Sequence, residues 1–236
     1  MTLDENLIHY NDDNSKIEAR FVNENAFQLS IRFIKNKKIL NLGLGNGHVI
    51  TRCDGIVHQQ VVVEGSKKII EAFAFESNKT KVVESYFEDY KSNELFDVVL
   101  ANHVLEHVDN PVALMEGKFN EWLKDDGIIF LTVPNAKSIH RQIGKKMGML
   151  KSEYELNSSD VKAGHQRVYD LQKLKFDVKE AGFEIVDFGG YNLKMVSLAQ
   201  MSDWGQELLD AIFEVSKQMP VEVCANIWMT LRKKSI

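Results

Sequence analysis

Ile39-Leu40-Asn41-Leu42-Gly43-Leu44-Gly45-Asn46-Gly47-His48 is the stretch that decides the fold of this 236-residue chain. An apolar run leads into a turn with three glycines at alternate positions, and a helical pattern begins at His48. Glycine tolerates positive φ and lets a ligand approach the backbone closely. In open α/β sheets, ligands bind at the carboxyl ends of the strands, near the point where the strand order reverses. The stretch therefore predicts a strand–turn–helix unit with a ligand at the turn; a glycine turn without a ligand is the alternative.

Short apolar runs rich in Val, Ile and Leu recur along the chain, and helical patterns separate them. Such runs are typical of strands buried on both faces of a parallel sheet. Strands that alternate with helices predict βαβ units with right-handed crossovers, and hence a doubly wound α/β fold. The predicted strands are 38–42, 60–63, 81–84, 96–100, 128–133, 183–188 and 225–232. The predicted helices are 48–53, 66–76, 111–123, 171–181 and one near 204–218.

Four segments are expected along the chain. Residues 1–35 form an N-terminal helical extension, because apolar residues recur at helical spacing between positions 17 and 34. Residues 36–133 form the ligand-binding core. Residues 134–166 are polar and irregular, which is typical of a functional lid or of a partly disordered segment. Residues 167–236 complete the sheet and carry a second insertion at 191–222.

Composition limits the class of protein. The formal net charge is −5, with 44% hydrophobic and 27% charged residues, as in a soluble globular domain with a sizeable core. The mild acidity argues against broad nucleic-acid binding. No apolar run approaches the ~20 residues that span a bilayer, and the N-terminus lacks signal-peptide features. Cys53 and Cys224 form no CxxC pair, so neither a zinc site nor a redox motif is predicted. We expect a cytoplasmic protein.

Glu64 ends the second predicted strand, about 20 residues beyond the glycine turn, where an acidic residue can accept hydrogen bonds from both hydroxyls of a ribose. A solvated glutamate at a strand end is the alternative. Two features disfavour a dinucleotide. The spacing is Gly-x-Gly-x-Gly, so His48 stands where the dinucleotide fingerprint has its third glycine. The fourth predicted strand is followed by a short predicted helix that carries Leu105-Glu106-His107.

With these blocks the chain resembles the class I S-adenosylmethionine (SAM)-dependent methyltransferases, in the branch of the ubiquinone-biosynthesis O-methyltransferases and the sugar and natural-product methyltransferases. The resemblance covers roughly residues 36–190. Its blocks, in order, are 39–47, Glu64, 96–111, 123–134 and 165–183. It implies a Rossmann-like methyltransferase fold with a seven-stranded, mostly parallel sheet and an antiparallel last strand. It also implies SAM as cofactor and S-adenosylhomocysteine (SAH) as product.

The resemblance also implies which residues contact SAM. They are Gly43, Gly45 and Gly47 at the methionine part, Glu64 at the ribose, Ser85, Tyr86 and Phe87 at the adenine, and Asn102 and His103 beneath the methionine and sulfonium. The sequence departs from the family at two positions. Asn41 stands where the family often has an acidic residue, and Leu44 where a small residue is more usual. The glycines remain, so we expect SAM binding.

Methyl transfer to a hydroxyl benefits from a general base, and histidine suits this role near neutral pH. The candidates are His165, which is the first choice, His103 and His140. His107 is expected to be structural. Arg167, Tyr169 and Arg141 are candidates for binding an acidic or phosphorylated acceptor through bidentate hydrogen bonds; pairing of Arg167 with a local carboxylate is the alternative. His103, Glu106 and His107 would converge on one face of a helix, as metal ligands can, but we expect no metal.

Four functions remain open at this point. A small-molecule O- or N-methyltransferase is favoured because the lid and the second insertion can enclose a small acceptor, such as a sugar or a nucleotide-linked or phosphorylated metabolite. A protein or RNA methyltransferase would need an open, charged groove. A non-catalytic SAM-binding module is the third reading. A nicotinamide oxidoreductase is disfavoured by the glycine spacing. We expect a small-molecule partner, no nucleic acid, no membrane span, and a monomer or homodimer.

Overall fold

A computed structural model describes residues 13–234 and has a seven-stranded sheet at its centre. The strand order is β3-β2-β1-β4-β5-β7-β6, and β7 is antiparallel to both of its neighbours. The strands are β1 (Lys38–Leu42), β2 (Gln59–Glu64), β3 (Thr80–Glu84), β4 (Phe96–Asn102), β5 (Leu123–Pro134), β6 (Phe183–Tyr191) and β7 (Asn226–Lys233). The predicted doubly wound, mostly parallel sheet with an antiparallel last strand is confirmed.

Helices lie between these strands at each predicted place. They are α1 (Asp13–Ile17), α2 (Glu24–Ile34), α3 (His48–Asp54), α4 (Lys67–Ala72), α5 (Pro111–Ala113), α6 (Asn120–Trp122), α7 (Ile139–Lys146), α8 (Ser158–Lys162), α9 (Leu171–Glu180) and α10 (Gln206–Ser216), of which α7 and α8 were not predicted. π-Helical segments, Glu18–Asn23 and Leu114–Phe119, join α1 to α2 and α5 to α6. Between residues 13 and 234, no helix is both long and apolar enough to cross a membrane.

Apolar side chains of the strands pack on both faces of the sheet. Leu40 and Leu42 of β1 pack in one core with Trp122, whereas Ile39 packs in a second core with Phe27 of α2. This alternation along one strand is the period of two that places successive side chains on opposite faces. Burial of apolar surface on both faces, at about 25 cal/mol per Å², holds β1 and the turn after it in the middle of the sheet.

Some local predictions were wrong. Residues 134–166 are not irregular throughout, because they contain α7 and α8. Helix α8 begins with a capping box, in which Asn157 and Asp160 bond each other's backbone N–H groups. The segment with Leu105-Glu106-His107 is a turn rather than a helix. His103, at φ 53°, cannot continue either a strand or a right-handed helix, so the chain bends there.

Candidate functional site

The glycine turn after β1 adopts backbone angles that favour glycine. Gly43, Gly45 and Gly47 have φ values of +85°, +54° and +78°, which is the left-handed region where other L-residues are strained. A Cβ on Gly47 would lie 2.4 Å from the ring of Phe73, which packs under the turn. A Cβ on Gly43 or Gly45 would meet nothing within 4 Å. The turn therefore packs on the protein at Gly47 and leaves space for a ligand at Gly43 and Gly45.

The Glu64 carboxylate ties this turn to the end of β2. Its Oε2 accepts the Leu44 N–H at 3.0 Å, and its Oε1 accepts the Ser66 N–H at 2.7 Å. Burial raises the pKa of Glu64, although these backbone N–H groups act in the opposite direction. A carboxylate has about four acceptor sites. Glu64 therefore retains acceptor capacity toward the cavity that it lines.

Asn41, which stands where the resemblance implies an acidic residue, bonds a buried amide of β2. Its Nδ2 donates to Gln60 Oε1 at 2.7 Å. Gln60 Nε2 donates in turn to Thr80 Oγ1 at 2.7 Å and to the Ile50 carbonyl at 2.9 Å. Because Asn41 also lines the cavity, the site has a neutral amide beside the glycine turn.

A cavity of about 510 Å³ runs from the glycine turn to the lid. The predicted site residues that line it are Gly43, Gly45, Glu64, Phe87, Asn102, His103, His140, Arg141 and His165. The predicted residues that do not line it are Gly47, Ser85, Tyr86, Arg167 and Tyr169. Of Ser85, Tyr86 and Phe87, which were predicted at the adenine, Phe87 lines the cavity. Tyr86 is 59% exposed.

His103 is held at both ring nitrogens. Its Nδ1 lies 3.0 Å from Glu106 Oε1, and its Nε2 lies 3.2 Å from the Tyr191 hydroxyl. Burial alone would raise the pKa of Glu106, but the hydrogen bond from His103 and the nearby imidazoles hold it below the usual value. An ionised Glu106 assigns the proton to His103 Nδ1, so that Nε2 accepts from the Tyr191 hydroxyl. Tyr191 was not among the residues that sequence analysis predicted for the site.

His107 and His165 lie edge to face beside the same carboxylate, with ring centroids 4.7 Å apart. Burial lowers the pKa of His107, and the Glu106 carboxylate only partly offsets this. Burial also lowers the pKa of His165. The carboxylates of Asp160 and Glu106 have a larger, opposite effect, so the pKa of His165 is raised. His165 Nδ1 lies 3.3 Å from Asp160 Oδ1.

Three of these groups could hold a metal ion. Donor atoms of Glu106, His107 and His165 lie within 4.8 Å of one another. Among the residues that the structure describes, Glu106 Oε2 is buried and has no hydrogen-bond partner. A carboxylate with two imidazoles is a donor set that suits a divalent transition metal.

His140 lines the lid end of the cavity. Burial, reinforced by the positive charges of Lys194 and Arg141, lowers the pKa of His140 to about 2, so its imidazole is neutral. Its Nδ1 is buried and has no hydrogen-bond partner within the described part of the chain.

The predicted acceptor-binding residues make contacts within the fold. The Arg167 guanidinium donates to the carbonyls of Leu105 at 2.8 Å and Asp109 at 3.1 Å, and it also bonds the Val108 carbonyl. Tyr169 is fully buried in the core. Arg167 therefore supports the turn after β4, and neither residue lines the cavity.

Arg141 lines the cavity, but its guanidinium is also occupied. It donates to Asp160 Oδ2 at 3.0 Å and to the Glu153 carbonyl at 2.7 Å, and it bonds the Glu155 carbonyl. These bonds join α7 to α8 within the segment 134–166. Lys194, which the sequence did not indicate, also lines the cavity, and it makes no hydrogen bond or ion pair with the residues described.

Comparison with known proteins agrees with this geometry. Residues 15–187 match the model of a family described as a methyltransferase domain. A ubiquinone biosynthesis O-methyltransferase of Pelagibacter ubique is 30% identical over 128 residues, which are 50% of this chain and 53% of the relative. The (S)-coclaurine N-methyltransferase of Papaver somniferum is 26% identical over 136 residues, which are 52% of this chain and 37% of the relative. The chain thus spans about half of the first relative's length and less of the second's.

Solved structures show the same fold at low identity. A SAM-dependent methyltransferase of Thermotoga maritima superposes with a TM-score of 0.66 at 17% identity, and 98% of each chain is covered. The family model matches well over half of the residues, and the fold and the glycine turn are consistent with it. This chain belongs to the methyltransferase domain family.

Proposed function

We propose that this protein transfers a methyl group from SAM to an oxygen or nitrogen of a small molecule. One observation carries the proposal: a single cavity is lined by the glycine turn, by the Glu64 carboxylate and by His103, which is bonded to the buried Glu106. Both halves of a transfer site, one for the cofactor and one for proton chemistry, therefore face the same space. The curated relatives are an O-methyltransferase and an N-methyltransferase, which supports these two classes of acceptor atom.

The cavity residues fit the parts of SAM. When bound, SAM supplies an electrophilic methyl group on its sulfonium. The open space at Gly43 and Gly45 suits the methionine part, and Glu64 suits the ribose hydroxyls because its carboxylate has acceptor capacity left. Phe87 suits an adenine face, and Asn102 and His103 lie on the wall between the turn and the lid residues.

His103 is the general base that the geometry favours. With Nδ1–H bonded to the ionised Glu106, His103 Nε2 has the lone pair that can accept a proton from the acceptor, and the carboxylate stabilises the imidazolium that results. The Tyr191 hydroxyl now occupies that lone pair. The acceptor must therefore displace Tyr191 or pass its proton through the Tyr191 hydroxyl. The left-handed backbone of His103 is a strained conformation of the kind that functional sites retain.

The other two histidines are weaker bases in this setting. The raised pKa of His165 increases its protonated fraction near neutral pH, and a protonated imidazole donates but does not accept. A pKa of about 2 leaves His140 neutral but with little basicity, which suits it to hydrogen bonding with the acceptor.

A macromolecular acceptor is the second candidate, and two features disfavour it. Lid residues Asn157, Ser159 and Asp160 form part of the cavity wall, so an acceptor must fit beneath the lid. The formal net charge of −5 provides no general attraction for RNA.

The proposal is tested by supplying SAM with a radioactive methyl group together with fractionated cell extract. Label in the small-molecule fraction that is absent with the His103→Asn variant is the expected result. Label confined to protein or RNA would contradict the small-molecule assignment. Loss of turnover in EDTA that a divalent cation restores would instead indicate a metal at Glu106, His107 and His165, which would activate the acceptor by lowering the pKa of a bound hydroxyl.

A further inference from the structure

Lys194 reaches the lid end of the cavity because a buried asparagine fixes the preceding turn. Asn192 has φ 62° and is fully buried. Its Oδ1 accepts from Asn25 Nδ2 at 2.7 Å, its Nδ2 donates to the Phe21 carbonyl at 3.0 Å, and its carbonyl accepts the Ala225 N–H at 2.7 Å. These bonds attach the end of β6 to α2, and the chain then places Lys194 on the cavity wall.

The Lys194 ammonium has no ion-pair partner among the residues that the structure describes. Within residues 13–234 it makes neither a hydrogen bond nor an ion pair, although the more distant carboxylates of Asp160 and Glu18 act on it. Asp160 is bonded to Arg141. Burial lowers the pKa of Lys194 to about 8, so the group remains mainly charged at neutral pH. A charge in such surroundings is costly until an opposite charge pairs with it.

His140 is a second side chain of this cavity that has a polar atom without a hydrogen-bond partner in the described part of the chain. Its Nδ1 is buried and without a partner among the described residues, and His140 and Lys194 line the same cavity. The ammonium has three donors, and the neutral imidazole can supply another. An anion with two or more oxygens would satisfy both groups at once.

We propose that Lys194, assisted by His140, binds an anionic group of the acceptor, so that the methylated substrate is a carboxylic acid or a phosphate ester. The inference rests on the proposed function and narrows its substrate class. The anion could in principle belong to the acceptor or to the carboxylate of SAM. We assign it to the acceptor because Lys194 lines the same cavity as His140 and as the bonded pair Arg141 and Asp160 of α7 and α8.

The test uses calorimetry on the wild type and on the Lys194→Met, Lys194→Arg and Lys146→Met variants. Lys146 is an exposed lid lysine and serves as the matched control. SAH is titrated first. The SAH-loaded proteins are then titrated with matched pairs of charged and neutral compounds: 4-hydroxybenzoate against 4-hydroxybenzamide, phenyl phosphate against phenol, and glucuronate against glucose.

In the wild type and in Lys146→Met, we expect at least one acid to bind about tenfold or more tightly than its neutral partner, as one charge-assisted hydrogen bond provides. We expect Lys194→Met to lose this preference with unchanged SAH affinity, and Lys194→Arg to keep it. Equal binding of every pair, or binding of none, in the SAH-loaded wild type would overturn the proposal. Weaker SAH binding in Lys194→Met alone would assign the lysine to the cofactor. Failure of the wild type to bind SAH would instead count against the proposed function.

Discussion

Replacing Glu64 by Gln changes one oxygen of a buried carboxylate into an amide. The native carboxylate accepts one backbone N–H at each oxygen, from Leu44 at 3.0 Å and from Ser66 at 2.7 Å. In the variant, one of these N–H groups faces an NH₂ group that cannot accept. The side chain also loses the charge with which it would accept bonds from the two ribose hydroxyls.

The magnitude follows from the number of bonds affected. A hydrogen bond to a charged group contributes about 1.5–3 kcal/mol, and each 1.4 kcal/mol is a factor of ten in affinity. Loss of one such bond to the ribose therefore predicts SAH binding about 10- to 100-fold weaker. One buried N–H left without an acceptor predicts a free energy of unfolding about 1–3 kcal/mol lower in the unliganded protein.

The assay is SAH calorimetry together with urea unfolding of the unliganded protein, because the two effects must be separated. Glu84→Gln is the matched control. Glu84 pairs in register with Glu64 at the end of the neighbouring strand, but it is exposed, so its variant should match the wild type in both measurements. A folded Glu64→Gln protein that binds SAH as tightly as the wild type would refute the assignment of Glu64 to the ribose.

Three further predictions concern the base, the lid and the turn. His103→Asn should lower turnover about 10²- to 10⁴-fold while SAH affinity changes little; turnover at the wild-type rate would remove His103 from the chemistry. His140 binds a proton in the unfolded chain near pH 6.5 but in the folded protein only near pH 2, so the unfolded state binds more protons between these values and stability falls as pH falls. Between pH 6 and 5, the free energy of unfolding in urea should fall by up to about 1.4 kcal/mol less in His140→Asn than in the wild type. An equal fall in both proteins would contradict the burial of a neutral imidazole. Gly47→Ala should destabilise the unliganded protein more than Gly45→Ala in thermal unfolding, because both share the left-handed backbone cost of about 1–2 kcal/mol but only Gly47 faces the Phe73 ring. An equal loss of stability in the two variants would show that the Phe73 ring moves away from the added Cβ at no cost.

The parts of the fold that depend on local patterns were predicted from the sequence. The run into Gly43 and the apolar run that ends at Glu64 show strand and turn signals within a few residues. The two strands, and the ligand site where their carboxyl ends lie side by side, could therefore be predicted. Helix α4 was predicted too long. It ends at Ala72 because Phe73 packs under the glycine turn, a contact between distant parts of the sequence.

The acceptor side of the site could not be predicted in the same way. The position of Lys194 depends on the bond from Asn25 to Asn192, which are 167 residues apart. Tyr191 meets His103 across 88 residues. Residue type alone suggested Arg167 as an anion ligand, and only the folded chain shows that backbone carbonyls occupy its guanidinium.

The most direct test of the central claim is calorimetric titration of the wild-type protein with SAM and SAH, with NADH as the control. The cavity described here predicts binding of both sulfur compounds and no binding of NADH, because the turn is spaced Gly-x-Gly-x-Gly and Glu64 stands at the ribose position. Binding of NADH, or of none of the three by the folded protein, would contradict the assignment of this cavity to SAM.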